Sequence, residues 1–153
     1  MKHALLIGCG NARGDKIIRG CEVSGFTVTN IGSSLSPKSS VKNISINWND
    51  LDITELHKIL KTIKSPIDFI FFNQNASSLS QSDFQQQKKT LDLWSLVKSW
   101  SKSYWLSCQM PYFLIQTLGT KISADAKIGW MLSTYIDKDK QGVWDHPDYS
   151  GYK

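Results

Sequence analysis

The sequence predicts an α/β fold built around a mostly parallel β-sheet. Short apolar segments with strand character alternate along the 153 residues with longer segments in which apolar side chains recur at helical spacing. The first apolar segment, His3–Ile7, runs into a glycine-rich turn that precedes a predicted helix. The order of strand, glycine turn and helix is typical of a sheet whose strands are joined by helical crossovers.

Three local signals predict the first strand–helix–strand unit. His3–Ile7 is mostly apolar, which suits a central strand that is covered on both faces. A helix is predicted over Asp15–Ser24, and Gly25 ends it because glycine readily adopts the left-handed conformation at a helix C-terminus. The second strand, Phe26–Ile31, is rich in β-branched residues.

The middle of the chain repeats this alternation. After a loop over Gly32–Lys42, the spacing of isoleucines predicts a third strand at Asn43–Asn47. Apolar residues on one stripe predict a helix over Asp52–Lys64, and Pro66 follows it as expected beyond a helix C-terminus. Ile67–Phe72 is a clear fourth strand because five of its six residues are apolar.

A long helical segment and one further strand are predicted after that. Lys88–Leu118 carries large apolar side chains at helical spacing, and Pro111 is expected to kink or end the helix. We interpret its aromatic stripe as core or subunit interface rather than as a cofactor site, which predicts a homo-oligomer formed through this helix. A fifth strand is predicted at Lys127–Thr134, followed by a polar loop over Tyr135–Asp148. The whole pattern predicts a Rossmann-like, three-layer domain over residues 1–153.

Composition excludes several functional classes. The hydrophobic content of 41% indicates a globular domain, and no apolar run is long enough to span a membrane. The net charge of +5 comes mainly from scattered lysines, without a basic block, zinc-ligand spacing or an RNA-binding aromatic motif, which argues against nucleic acid and metal. Cys9, Cys21 and Cys108 have no paired spacing, so we expect reduced thiols and a cytoplasmic location.

The loop after the first strand is the main candidate for a binding site. Its sequence from Gly8 to Gly14 is GCGNARG, which departs from a strict G-x-G-x-x-G because Arg13 stands at the third glycine. The spacing G-x-x-x-G-x-G fits better, with alanine at the middle glycine. Glycines here allow backbone N–H groups to approach a pyrophosphate at a helix N-terminus, although an ordinary strand-to-helix turn is the alternative. The predicted binding residues are Gly8, Gly10, Asn11, Ala12, Arg13 and Gly14.

Read with that glycine spacing, the chain resembles the short-chain dehydrogenase/reductase family. Asn73–Ser77 follows the fourth strand, where the family has Asn-Asn-Ala-Gly, and Ser133 closes the predicted fifth strand, where the family has its catalytic serine. Tyr149 and Lys153 match the family's Tyr-x-x-x-Lys motif. The order and spacing of these four short motifs carry the resemblance, which extends over the whole chain.

The resemblance implies hydride transfer between a nicotinamide and a small carbonyl or alcohol substrate. It implies that Tyr149 protonates the carbonyl oxygen, that Lys153 favours the phenolate and contacts the nicotinamide ribose, and that Ser133 orients the carbonyl. It also implies that Asn75 and Ala76 line the cofactor site. Asn49 or Asp50 would contact the adenine after the third strand.

The residues after the second strand favour NADP(H) over NAD(H). Rossmann-type enzymes that use NAD place an acidic residue near the end of this strand to bind the ribose 2′-hydroxyl. Residues 30–34 read Asn-Ile-Gly-Ser-Ser and contain no acid. The hydroxyls of Ser33 and Ser34, together with Arg13 or Lys38, are suited to a 2′-phosphate instead.

The chain departs from the family's pattern in three places. The helix after the fourth strand lacks the family's asparagine, with Ser101 near its place, and the separation between Ser133 and Tyr149 is longer than usual. Only strands one to five of the family's usual seven are predicted, so we expect a truncated chain that is inactive by itself. A non-catalytic NAD(P)-binding or sensor module is the alternative function, and an unrelated α/β protein is the third.

Overall fold

The computed structural model describes residues 1–48, 52–64, 66–73, 101 and 104–131. The chain divides into two compact units, the first made of Met1–Gln74 and Leu114–Met131, the second of Asn75–Phe113 and Leu132–Lys153. The first unit carries all the described strands. Of the second unit the structure describes only residues 101 and 104–113.

The first unit contains a five-stranded parallel sheet, which confirms the predicted fold class. Its strand order is β3-β2-β1-β4-β5, so the chain winds outward from β1 in both directions. The strands are β1 (Lys2–Ile7), β2 (Phe26–Gly32), β3 (Val41–Ser45), β4 (Ile67–Phe72) and β5 (Ile122–Trp130).

β1 forms the centre of the core. Its last four residues, from Ala4 to Ile7, are completely buried because β2 and β4 flank the strand. The pairing continues past the strand ends, since Gly8 N donates to Ile31 O at 2.8 Å and Asn73 N donates to Ile7 O at 2.8 Å. The carboxyl ends of β1, β2 and β4 are therefore held side by side at one edge of the sheet.

The helix α1 (Ala12–Val23) starts three residues earlier than the sequence predicts. Asn11 is the reason, because its side chain accepts a hydrogen bond from Gly14 N at 2.8 Å and caps the first turn. The inner face of α1 buries Ile18 and Cys21 in the core cluster. After the helix, Gly25 adopts a φ of 79°, as predicted for a residue that ends a helix.

The helix α2 (Ile53–Lys61) confirms the second predicted helix but is shorter at its C-terminus. Asp52 caps it by accepting from Thr54 N at 2.8 Å. Its apolar stripe buries Leu56 and Leu60 completely. The strand β3 lies two residues earlier than predicted. It starts at Val41, which is buried and pairs with Val28 of β2, and it ends before Asn47.

Of the two outcomes predicted for Pro111, a kink or an end of the helix, the structure excludes the end. The helix α3 (Met110–Leu118) continues past it, and Trp105–Gln109 immediately before has π-helical geometry, with Met110 N bonded to Trp105 O. The wider turn accommodates a residue that lacks an N–H group and whose ring crowds the preceding turn. The remainder of the predicted helix lies outside the described residues, so oligomerisation through it stays a prediction.

β5 starts five residues before the predicted fifth strand and ends at Trp130. The predicted start was wrong because residues 122–126 read Ile-Ser-Ala-Asp-Ala, a polar composition that an exposed edge strand tolerates. Trp130 stacks on Phe72 of β4 with ring centroids 5.2 Å apart. Among the described helices, none is both long and apolar enough to cross a membrane.

Candidate functional site

The candidate site lies at the carboxyl edge of the sheet, where loops from three adjacent strands meet. The glycine loop follows β1, a serine-rich loop follows β2, and Asn73 follows β4. In open parallel sheets ligands bind outside the carboxyl ends of the strands, where the crossovers diverge to opposite sides. Here β2 and β4 lie on opposite sides of β1, so the divergence falls at the glycine loop.

Three glycines of this loop have separate physical reasons to be glycine. Gly8 has a φ of 76°, a left-handed conformation that favours glycine. A Cβ atom at Gly10 would overlap the carbonyl group of Ser34, and one at Gly14 would overlap the backbone of Cys9. The loop is therefore packed directly on the chain after β2 and on the start of α1, as a dinucleotide-binding turn requires.

The N-terminus of α1 opens into the same site. Asn11, Ala12 and Arg13 are exposed, and Asn11 uses its side chain to cap Gly14 N. The first-turn N–H groups of Ala12 and Arg13 have no partner within an α-helix, and the helix dipole adds partial positive charge there. This arrangement suits the pyrophosphate of a dinucleotide, so the predicted glycine-loop residues are brought together as the sequence indicates.

The Cys9 thiol contributes packing rather than reactivity. Cys9 is completely buried in the core cluster beneath the loop. Burial raises the pKa of its thiol to about 12, with a smaller contribution from Cys21. A thiol that stays protonated at neutral pH is a poor nucleophile, so Cys9 is excluded as a reactive group.

The loop after β2 presents the two predicted serines but not the predicted lysine. Ser33 and Ser34 are exposed next to the glycine loop. The Lys38 ammonium lies 2.8 Å from a Glu22 oxygen and 3.5 Å from an Asp15 oxygen, so its charge is already paired with α1. The hydrogen bond from Lys38 is the largest cause that lowers the pKa of Glu22. Lys38 is therefore already engaged by acids of α1, and its role toward a 2′-phosphate stays a prediction.

Arg13 is an exposed cation beside the glycine loop. It lies in the first turn of α1, and no described residue forms an ion pair with it. The two acidic residues of α1, Asp15 and Glu22, are both paired with other cations. Among the described residues, the charge of Arg13 is therefore not neutralised by an ion pair.

Two buried asparagines join the loops, and sequence analysis did not assign this role to either. Asn30, near the end of β2, is completely buried, and its Oδ1 accepts from Cys9 N at 3.0 Å. Its Nδ2 donates to Ser34 O and to Asn43 Oδ1, both at 3.2 Å. An amide within a strand rich in β-branched residues was the available signal, because burial of an unpaired amide is costly.

Asn73 ties β4 to the glycine loop. Its Nδ2 donates to Gly8 O at 3.0 Å and lies 3.5 Å from Asn11 Oδ1. Its Oδ1 is buried and, among the described residues, lacks a hydrogen-bond partner. The resemblance placed the start of the family motif at Asn73 but implied that Asn75 and Ala76 contact the cofactor.

The other predicted site residues lie outside the described part of the chain. This holds for the catalytic group and for the residues expected after β3 and β4, and their positions stay predictions. These residues are Asn49, Asp50, Asn75, Ala76, Ser133, Tyr149 and Lys153.

Comparison by sequence finds no relative. No protein-family model matches the chain, and no curated protein matches it.

Comparison by structure finds close similarity to short-chain dehydrogenase/reductases. A short-chain dehydrogenase family protein from Francisella tularensis subsp. tularensis superposes with a TM-score of 0.70 at 21% identity, covering 99% of this chain and 59% of that one. A short-chain dehydrogenase/reductase variant from Serratia marcescens gives 0.71 at 16% identity, covering 99% and 66%. A putative short-chain dehydrogenase/reductase from Burkholderia multivorans with bound NADP gives 0.61 at 16% identity, covering 99% and 68%.

These similarities confirm the predicted resemblance at the level of the fold. The chain has the Rossmann-like fold of short-chain dehydrogenase/reductase structures. The chain spans 59% to 68% of the length of these three structures.

Proposed function

We propose that this chain binds NADP(H) at the carboxyl edge of its sheet and that it belongs to an oxidoreductase of the short-chain type. The observation that carries the proposal is the convergence of three features on one edge. These are a glycine loop with a positive φ at Gly8, the capped and exposed N-terminus of α1, and a loop after β2 that presents serines without an acid. A solved structure of the same fold that holds NADP supports this assignment.

Each part of the site is assigned one part of the cofactor. The N–H groups of Ala12 and Arg13 would hold the pyrophosphate, because they lie at the positive end of α1. Ser33 and Ser34 would donate hydrogen bonds to the 2′-phosphate, and the Arg13 guanidinium would pair with its charge. An acid in this loop would repel that phosphate, and none is present at residues 30–34.

The chemistry proposed for the oxidoreductase is interconversion of a carbonyl and an alcohol. When bound, the nicotinamide supplies hydride chemistry that no side chain provides. We assign proton transfer at the substrate oxygen to Tyr149, with Lys153 favouring its phenolate and Ser133 orienting the carbonyl. The resemblance to the family supports these three roles.

Binding and turnover test separate parts of this proposal. Calorimetric titration of the chain with NADPH and with NADH measures both dissociation constants, and we expect tighter binding of NADPH. Tighter binding of NADH would contradict the assignment of the loop after β2. If neither dinucleotide binds, the proposed function fails and the remaining interpretation is an unrelated α/β protein.

A second pair of measurements addresses catalysis. If a panel of small carbonyl compounds is reduced with NADPH, Tyr149→Phe should abolish turnover and leave the NADPH dissociation constant within about twofold, because only the proton donor is lost. Cofactor binding without turnover of any panel compound is the result expected if the chain is inactive by itself or is a non-catalytic module. Unchanged turnover in Tyr149→Phe would refute the catalytic assignment.

A further inference from the structure

We propose that the side-chain amides of Asn30 and Asn43 form one positioning device that sets the preference for a 2′-phosphate. This inference rests on the proposed function, because it concerns how the same site distinguishes NADP(H) from NAD(H). The two residues lie on the neighbouring strands β2 and β3 and are directly paired in register. They act through the loops that they hold and are not assigned contact with the cofactor.

Asn30 joins the two loops that form the site. Its Oδ1 accepts from the backbone N–H of Cys9, inside the glycine loop, at 3.0 Å. Its Nδ2 donates to the carbonyl of Ser34, inside the loop after β2, at 3.2 Å. One buried amide therefore fixes the spacing between the segment proposed to hold the pyrophosphate and the segment proposed to hold the 2′-phosphate.

Asn43 extends the same connection one strand further. Its Oδ1 accepts from Asn30 Nδ2 at 3.2 Å and from Ser36 N at 2.9 Å. Its Nδ2 donates to Ser36 O at 2.8 Å, so both backbone groups of Ser36 are held by one side chain. The loop is therefore fixed at Ser34 by Asn30 and at Ser36 by Asn43.

The amide of Asn30 is fully engaged in this structural role. Both hydrogens of Asn30 Nδ2 have acceptors and its Oδ1 has a donor, and the side chain is completely buried. An amide buried in this way has no donor left for a ligand, and rotating it would leave polar groups unpaired. Asn30 and Asn43 are therefore positioning residues.

The two loops are in close contact, but they would serve different parts of the cofactor. The carbonyl of Ser34 lies so close to Gly10 that a Cβ there would overlap it. Both cofactors need the glycine loop for their pyrophosphate, whereas only NADP(H) needs the hydroxyls of Ser33 and Ser34. Release of the second loop should therefore weaken NADPH selectively.

The test uses Asn43→Ala, because Asn43 is only partly buried on the edge strand β3 and its truncation should leave the sheet folded. We expect the NADPH dissociation constant to rise about tenfold and the NADH dissociation constant to change less than about twofold. A tenfold change in the ratio of the two constants corresponds to about 1.4 kcal/mol of lost discrimination. Asn43→Ser, which removes the same amide, should move the ratio in the same direction.

Thr29→Val is the matched control. Thr29 is buried on β2 next to Asn30, and its hydroxyl bonds only the His3 ring, at 2.9 Å, among the described residues. Successive residues of a strand point to opposite faces, so this variant loses one buried hydrogen bond without touching either loop. It should lower stability and leave the ratio of the two dissociation constants unchanged.

Hydrogen exchange reports the positioning directly. The Ser36 amide has Asn43 Oδ1 as its acceptor, so Asn43→Ala should speed its exchange, whereas Thr29→Val should not. Faster exchange of Ser36 with an unchanged NADPH to NADH ratio would overturn the role in discrimination. Unchanged exchange would overturn the positioning itself.

Binding by the wild-type chain separates failure of this role from failure of the proposed function. If the chain binds neither dinucleotide, the proposed function fails and this role fails with it. If the chain binds NADPH and NADH equally, only the role in discrimination is refuted.

Discussion

Replacing Lys121 by methionine should destabilise the first unit through the C-terminus of α2. The Lys121 ammonium donates to Leu60 O at 3.1 Å, to Lys61 O at 2.7 Å and to Ile63 O at 2.7 Å. All three donors of the ammonium are thus directed at carbonyls in the last turn of α2 or just beyond it, where intrahelical partners are lacking. Methionine has a similar length and apolar stem but donates no hydrogen bond.

The size of the effect follows from these contacts. Because the site is only partly buried, water can hydrogen-bond to the carbonyls once the ammonium is gone. Each of the two short bonds from the charged donor therefore contributes only about 1 kcal/mol to the free energy of unfolding. Loss of a cation at the C-terminal end of the helix dipole adds about 0.5 kcal/mol. We therefore expect Lys121→Met to lower the free energy of unfolding by about 2 to 3 kcal/mol.

Urea denaturation followed by circular dichroism measures this change, with the control Lys127→Met. Lys127 lies exposed on β5, the strand that begins directly after Lys121, and no described residue forms an ion pair with it. The control should change stability by less than about 0.5 kcal/mol, as surface substitutions usually do. Equal losses in the two variants would show that the three carbonyl contacts contribute nothing specific, and the reasoning would be refuted.

Two further predictions concern the glycine loop and His3. Gly10→Ala should abolish dinucleotide binding measured by calorimetry, because its Cβ would overlap Ser34 O, whereas Gly20→Ala on α1 meets no atom within 4 Å and should stabilise the fold by about 0.5 to 1 kcal/mol. Burial is the largest cause that lowers the pKa of His3. The unfolded chain therefore takes up the proton first, and this contribution to stability is present above pH about 6.5 and lost as the pH falls below it. Urea midpoints at pH 7.5 and 5.5 should differ more in the wild type than in His3→Gln, and equal differences would contradict the assignment to His3.

Local sequence signals predicted the fold and the glycine loop well. The five strands, the first two helices and the turn at Gly25 depend on periodicity, capping residues and glycine, all of which act over a few residues. The boundaries were less predictable. Asn11 moved the start of α1 earlier, and the polar start of β5 concealed an edge strand whose pairing with β4 decides its extent.

The bonds that organise the site were beyond the reach of local signals. Cys9 N and Asn30 Oδ1 are 21 residues apart, and Asn73 Nδ2 and Gly8 O are 65 residues apart. An asparagine in a strand predicts that some partner exists, because an unpaired buried amide is costly, but the partner depends on which strands become neighbours. The sheet order must therefore be known before these contacts can be assigned.

Lys38 shows how the same limitation changes a functional conclusion. Sequence supplies its charge and its place in the loop after β2, and both suit a phosphate. In the fold, Lys38 instead pairs with Glu22, 16 residues away, and this contact fastens the loop to α1. If the site binds a 2′-phosphate as proposed, we expect its recognition to depend mainly on Arg13 and on serine hydroxyls. Because Arg13 is exposed, its contribution should weaken as salt is raised, whereas hydrogen bonds from Ser33 and Ser34 should persist.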